Sequence, residues 1–309
     1  MAFSVKAEYN FAFLSLVVAV EIGFILGLLI NSFIVAVNIM NWFKERPMTA
    51  NDQVITSIAI ARILLQSACL FHIFVTVFFN SNYLNLFLII MMVMSNYSSI
   101  WLTNLLAIVF FLKIFNFQNV FFQKLKAVVS QKALYFIAGS ILLSFFYGVL
   151  YTWLDYTTVL ANTTESFTVT WTHNMQTSLK YFIYFFLGYT VPFLIYLIIL
   201  SLLVFFLYFH MSKIKTSSSL LGLDNYYTAL KSVACCFLCY SFNVGSNLIV
   251  MYYYDSLSIV LINVIFNIFP ALHSVFIIYR TPKLKTGLLR LFKCGTSCAL
   301  NRGGSGPNF

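Results

Sequence analysis

Charge is what this chain has least of. Charged residues make up 8% of its 309 positions and only eight residues are acidic, while 61% are hydrophobic. Soluble domains carry about a quarter charged residues, so that class is excluded. No nucleophile, acid and base constellation, no phosphate-cradling glycine loop and no metal-ligand set is legible, which argues against an enzyme and implies no cofactor. The six cysteines avoid the expected outer loops, so a disulfide from the third helix to the second outer loop is ruled out. Cys235, Cys236 and Cys239 have no neighbouring histidine or carboxylate in sequence and read as small buried hydrophobes. Internal repeats are lacking, and so is a short apolar segment ending in a small-residue cleavage site. The first apolar run is therefore expected to remain as a helix.

What the chain does have is long apolar runs, at 11–39, 53–79, 86–115, 133–154, 178–210, 228–254 and 258–279. Each is long enough to cross a bilayer, which takes about 20 residues. Polar breaks such as "NWFKERPMTANDQ" and "KIKTSSSLLGLDN" separate them. The weakest break is Tyr252 to Ser258, but a single helix over 228–279 would be roughly twice the membrane thickness. The expectation is an all-α membrane protein, a seven-helix bundle over 1–281 with a short basic cytoplasmic tail over 282–309.

With the N-terminus outside, the outer side carries only Lys6 and Lys180, and the opposite side collects the other cations from Lys44 to Arg302, apart from Arg62 inside the second run. Positive residues stay cytoplasmic. The formal charge of +10 then serves the inner leaflet of the lipid bilayer and cytoplasmic partners, and no basic-aromatic motif points to nucleic acid. Asn162-Thr163-Thr164 is a glycosylation sequon in the expected outer loop before the fifth span. Asn96-Tyr97-Ser98 matches the same pattern inside the third run, out of reach of glycosylation.

Polar residues within the runs are the candidate functional groups. Arg62 lies about ten residues into the second run, where an unpaired guanidinium costs at least a few kcal/mol. Asn31, His273 and Ser274 fall at comparable depth and, with carbonyls freed near Pro270, are its expected partners. Residue types alone fit a static network and a rearranging one equally. Pro192 and Pro270 permit kinks or bulges. Trp101 and Asn104 in the third run, His72 in the second, Asn243 and Asn247 in the sixth and Asn263 in the seventh can supply an aromatic wall and hydrogen bonds to a pocket in the outer half. The same asparagines can equally serve as interhelical glue, and Trp101 as an interfacial anchor. Lys113 lies 12 residues below Trp101, roughly 18 Å, at the cytoplasmic rim. Positive-inside anchoring suffices to explain it, and the two residues together suit a helix linking an outer pocket with an inner surface. Glu21 has no partner legible in sequence, and Cys294 and Cys298 fit palmitoylation and free thiols alike.

The stretch "WLTNLLAIVFFLKIFNFQNVFFQKLK", Trp101 to Lys126, resembles the third-helix signature of type 2 (bitter) taste receptors. "GLLINSFI", "SIAIARI", "TALKSV" and "FPALHSVFIIYRTPKLK" are similar to that family's motifs in the first, second, sixth and seventh helices. Neither Asp-Arg-Tyr after the third helix nor Asn-Pro-x-x-Tyr in the seventh occurs, which separates the chain from rhodopsin-like receptors. Departures cluster on the cytoplasmic side: the fifth-helix motif survives only as "FLYFH" ending in His210, Tyr226 stands for a histidine, and Ala61 for a serine. The resemblance implies a divergent member, a G-protein-coupled receptor in the plasma membrane of taste receptor cells. It implies that Trp101 contacts small organic agonists, among which a candidate pocket with few fixed charges favours neutral or weakly basic compounds over anions, and that Asn31, Arg62, Pro270, His273 and Ser274 rearrange on activation. A gustducin-like or other inhibitory-class heterotrimer would then meet Lys113, Lys124, Lys126, His210, Lys213, Lys215 and Lys231. A vomeronasal type 1 receptor and a small transporter are the alternatives; a transporter would want repeats or paired interrupted helices.

Overall fold

The computed structural model describes residues 2–44, 47–79, 81–114, 120–163, 183–215, 231, 234–247 and 259–303. They form an all-α, multi-pass bundle. Helix α1 spans Ala2–Phe43, α2 Ala50–Phe78, α3 Asn82–Ile114, α4 Val120–Gln131 and α5 Ala133–Thr163. A π-helical segment, Ile183–Thr190, leads into α6, Val191–Lys215. Helix α7 covers 234–247, α8 Ile259–Arg280 and α9 Pro282–Gly303. Five of the described helices are long and apolar enough to cross a membrane. The break Tyr252 to Ser258 lies outside the described residues.

Local chemistry explains the boundaries. Thr49 caps α2, its hydroxyl accepting from the Asp52 N–H at 3.2 Å, and Asp52 adds a carboxylate to the first turn, where the helix dipole favours it. Between α3 and α5 the polar stretch folds as the short helix α4. The basic segment after Thr281 is also helical: α9 turns Leu284 inward, fully buried, and leaves Leu289 exposed.

Helix α3 is central. It packs against α2, α5 and α6, while α1 packs against α2 and α8. One buried cluster, including Val54, Ile58, Leu102, Leu105 and Leu284, gathers α1, α2, α3 and α8 with the start of α9. A second cluster is aromatic and joins Tyr97, Tyr189, Tyr196 and Tyr240 across α3, the π segment, α6 and α7. Outward apolar residues such as Leu29, Phe146 and Ile198 remain exposed, as a lipid-facing surface requires.

The distortion that Pro192 permits takes the form of the π segment. Pro192 has no N–H for the Gly188 carbonyl and its ring needs room on that side, which a wider turn just ahead provides. Gly188 serves a second purpose, because a Cβ there would lie 2.6 Å from the Tyr97 hydroxyl oxygen. Replacing Gly188 by leucine should overpack this contact by roughly 1–3 kcal/mol and lower surface expression several-fold. The Gly139→Leu control, with open space at its Cβ, should express as the wild type. Equal expression of the two variants, read with an extracellular tag, would disprove the packing argument.

Candidate functional site

Arg62 organises the first part of the site. Its side chain is 2% exposed in the middle of α2. Nε donates to the Ser99 hydroxyl at 3.2 Å and Nη1 to the Ser274 hydroxyl at 2.6 Å, while Nη2 lies 2.8 Å from His273 Nδ1. A guanidinium only donates, so Nδ1 must accept, and the neutral imidazole carries its proton on Nε2. Ser274 in turn donates toward Asn31 Oδ1 at 2.7 Å and the Pro270 carbonyl at 3.0 Å, and the Asn31 amide donates to the Gly27 carbonyl at 2.8 Å. The guanidinium thus reaches Asn31 through a hydroxyl relay rather than directly. One arginine ties α1, α2, α3 and α8 together.

Magnitudes show what this network does. An arginine at the centre of a spanning helix costs about 2.5–3.5 kcal/mol. Interhelical hydrogen bonds average about 0.6 kcal/mol each, so three of them offset most of that cost without adding a surplus. Among the described residues no carboxylate pairs with Arg62. Ser99 was missed in the sequence because a serine among apolar residues carries no signal of its partner.

The second part is a ladder of amides and tyrosines. Asn96 donates to the Tyr189 hydroxyl at 2.8 Å, and Tyr189 donates to Asn247 Oδ1 at 3.0 Å. The Asn247 amide reaches the Asn243 carbonyl at 2.7 Å and Asn243 Oδ1 at 3.0 Å. Two turns along α3, Asn104 donates to the Tyr240 hydroxyl at 3.1 Å. Tyr240 stacks on Tyr196 at 4.3 Å between ring centroids and on Phe193 at 6.1 Å. Asn104 and Asn247 are therefore buried and already bonded, while Asn243 is half-buried. Tyr240, Asn243 and Asn247 lie three and four residues apart on one helical face, a signal that was legible in the sequence.

Trp101 is half-buried at the edge of the aromatic cluster. Along α3, Trp101 lies two residues beyond Ser99, which meets Arg62, and 12 residues before Lys113. His72 is half-buried on α2, and its ring makes no hydrogen bond among the described residues. Asn263 lies in α8 and Glu21 in α1, with side chains outside the described set. Asn162 falls in the last turn of α5, not in a loop, and its side chain is likewise outside that set.

Below the network lies a cavity of about 40 Å³ between α3, α6, α7 and α8, with His273, Thr103, Tyr196, Cys236, Phe110 and Arg280 on its wall. Arg280 bridges its far end, with the guanidinium 4.1 Å from the Phe110 ring centroid and Nη1 3.5 Å from Cys236 Sγ. His273 both meets Arg62 and lines this cavity. Among the expected cytoplasmic cations, Lys113 and Lys126 line a shared groove between α2, α3 and α4, and Lys124 and Lys231 are exposed. His210, Lys213 and Lys215 lie on α6, and Cys294 and Cys298 on α9, with side chains outside the described set.

The sequence model of the taste receptor protein (TAS2R) family matches residues 7–296. The chain belongs to this family. It is 29% identical over 299 residues to taste receptor type 2 member 13 of Pongo pygmaeus, covering 89% of this chain and 94% of that one. It is 28% identical to member 20 of Homo sapiens, with 94% and 97% of the two chains covered, and 27% identical to member 9 of Macaca mulatta, with 87% and 90% covered. This TAS2R chain is accordingly a multi-pass plasma-membrane protein of a receptor family without enzymatic activity, and the transporter and vomeronasal readings fall away.

Removing either end of the Arg62–Ser274 bond should show that the network acts as a unit. Ser274→Ala leaves the buried guanidinium one acceptor short and should lower thermal stability of the solubilised receptor by roughly 1.5–3 kcal/mol, and Arg62→Ala, which removes the burial cost along with the bonds, by less. The double variant should be less destabilised than the sum by about 1 kcal/mol. Additive losses would mean that the two residues act independently.

Proposed function

We propose that this chain is a bitter taste receptor that binds small organic compounds around Trp101 and activates a gustducin-like or other inhibitory-class heterotrimer. The full fold under this reading is a seven-helix bundle with the N-terminus outside, Asn162 glycosylated and the C-terminus cytoplasmic. The supporting observation is continuity: the network bridging α1, α2, α3 and α8 ends at His273, on the wall of the cavity between α3, α6, α7 and α8. An agonist that prefers one arrangement of the aromatic layer biases the helices around that cavity, and opening it admits the C-terminal helix of Gα. Arg62, His273, Ser274, Asn31 and Pro270 form the rearranging element, and Lys113, Lys124, Lys126, His210, Lys213, Lys215 and Lys231 face the G protein.

The ligand contacts proposed are Trp101, Asn104, His72, Asn243, Asn247 and Asn263. Tyr189 already occupies Asn247 Oδ1, so an agonist exchanges one hydrogen bond for another there, whereas the Asn104 amide is held by Tyr240 and its buried Oδ1 has no partner among the described residues and can accept from an agonist donor. Affinity then comes chiefly from stacking on rings, and neutral or weakly basic compounds are favoured because the aromatic cluster holds no fixed charge.

Calcium responses in cells expressing a promiscuous Gα, challenged with a panel of bitter compounds, test the reading. Trp101→Ala should raise the half-effective concentration at least about tenfold at matched surface expression. Lys113→Ala should reduce maximal response without a comparable shift. Unchanged potency of the Trp101 variant for every agonist found would make the tryptophan an anchor only. Topology has its own check: glycosidase should shift the wild type but not Asn162→Gln, and a tag after Phe309 should be antibody-accessible only in permeabilised cells. A tag reached on intact cells overturns the orientation.

A further inference from the structure

Helix α9 does not lie flush on α1. Gly287 brings the two together, with its Cβ position 3.4 Å from a Val37 methyl and 3.6 Å from Phe33. Leu284 is buried and Leu288 packs against the core beneath. On the open side of this contact the helices diverge around a groove of about 590 Å³. Its floor is apolar, with Phe33, Val37, Met40 and Leu291, and its rim carries Lys44, Lys283 and Arg290.

The rim charges are unevenly satisfied. Lys283 is bound to Asp52 at 3.1 Å. Lys44 and Arg290 are exposed, and their side chains make no hydrogen bond or ion pair among the described residues. Glu45 and Arg46, next to Lys44 in sequence, lie outside that set and cancel formally. Met40 and Leu291 are also exposed beside these cations, at 56% and 59%. Water would not favour an apolar slot of this kind, whereas a lipid acyl chain would fill it. A soluble phosphate would use the rim and leave the floor wet.

We infer that the groove between the ends of α1 and α9 is a binding site for an anionic phospholipid, specifically a phosphoinositide bearing a phosphomonoester. The phosphomonoester supplies a dianion to match the two unpaired cations, and a monoanionic headgroup leaves one of them unmatched. The upper acyl chain lies along Phe33, Val37 and Met40, one turn apart on α1. The site depends on these side chains and not on which ligand the receptor senses.

Native mass spectrometry of the purified full-length receptor in mixed micelles tests this. Phosphatidylinositol 4-phosphate should be retained on the wild type well above phosphatidylcholine, and Lys44→Gln/Arg290→Gln should weaken retention by about thirtyfold. Lys44→Arg/Arg290→Lys should restore it. The control Lys132→Gln/Lys285→Gln removes the same charge outside the groove, Lys285 lying instead over the Tyr279 ring at 5.1 Å, and should retain the lipid. Equal loss in the control would reduce the effect to net charge and overturn the site. So would equal retention of phosphatidylcholine or of phosphatidylserine, or binding of soluble inositol 1,4-bisphosphate as strong as that of the lipid. Thermal melting of each variant in the absence of phosphoinositide accompanies the measurement. A melting loss in the Lys44/Arg290 variant that the charge-conserving pair does not repair would also overturn the proposal.

Discussion

A guanidinium held where water does not reach is the constraint around which this bundle is built. Arg62 cannot leave the middle of α2, and it meets two hydroxyls and an imidazole in place of a carboxylate. Neutral acceptors satisfy the donors without neutralising the charge, so the pairing is weaker than an ion pair and easier to rearrange. Pro270 fits this logic. It removes a backbone donor within α8, and the Ser274 hydroxyl points back to its carbonyl while also serving Arg62 and Asn31. A single hydroxyl with one proton faces two acceptors there, so the network holds more than one way to distribute that proton.

The aromatic layer works by a different balance. Tyrosine rings between α3, the π segment, α6 and α7 provide dispersion and stacking, and their hydroxyls consume the amides of Asn96, Asn104 and Asn247. The π turn before Pro192 places Tyr189 at the centre of this arrangement, and Gly188 lets Tyr97 approach the backbone beside it. A surface of this kind is sticky toward flat apolar molecules, which suits the small organic agonists of the proposed reading.

Much of this was legible in advance, for reasons that differ by residue. Five of the apolar runs coincide with described helices long and apolar enough to cross a membrane, because the bilayer's demand for length and apolarity acts on each segment separately. Arg62 stood out for the same reason: its desolvation cost belongs to the residue and needs no knowledge of neighbours. The apolar run places the start of α2 at 53, three residues past its start at Ala50, where Thr49 and Asp52 cap it by local bonding. The basic segment after Thr281 was read as a tail; its apolar positions at Leu284 and Leu288 face the core only because α1 and α8 provide a surface to meet them.

The sequence by itself determined that this is a membrane-spanning helical receptor chain, where most spans lie, and that Arg62 needs partners near Asn31, His273 and Ser274. Tertiary structure alone decided that Ser99 joins them, that Asn31 is reached through Ser274, and that Asn104 and Asn247 bond to tyrosines. These contacts join residues 37 to 243 positions apart. They are set by how far each helix slides and rotates against its neighbours, and that register depends on the packing of many side chains together rather than on any local pattern.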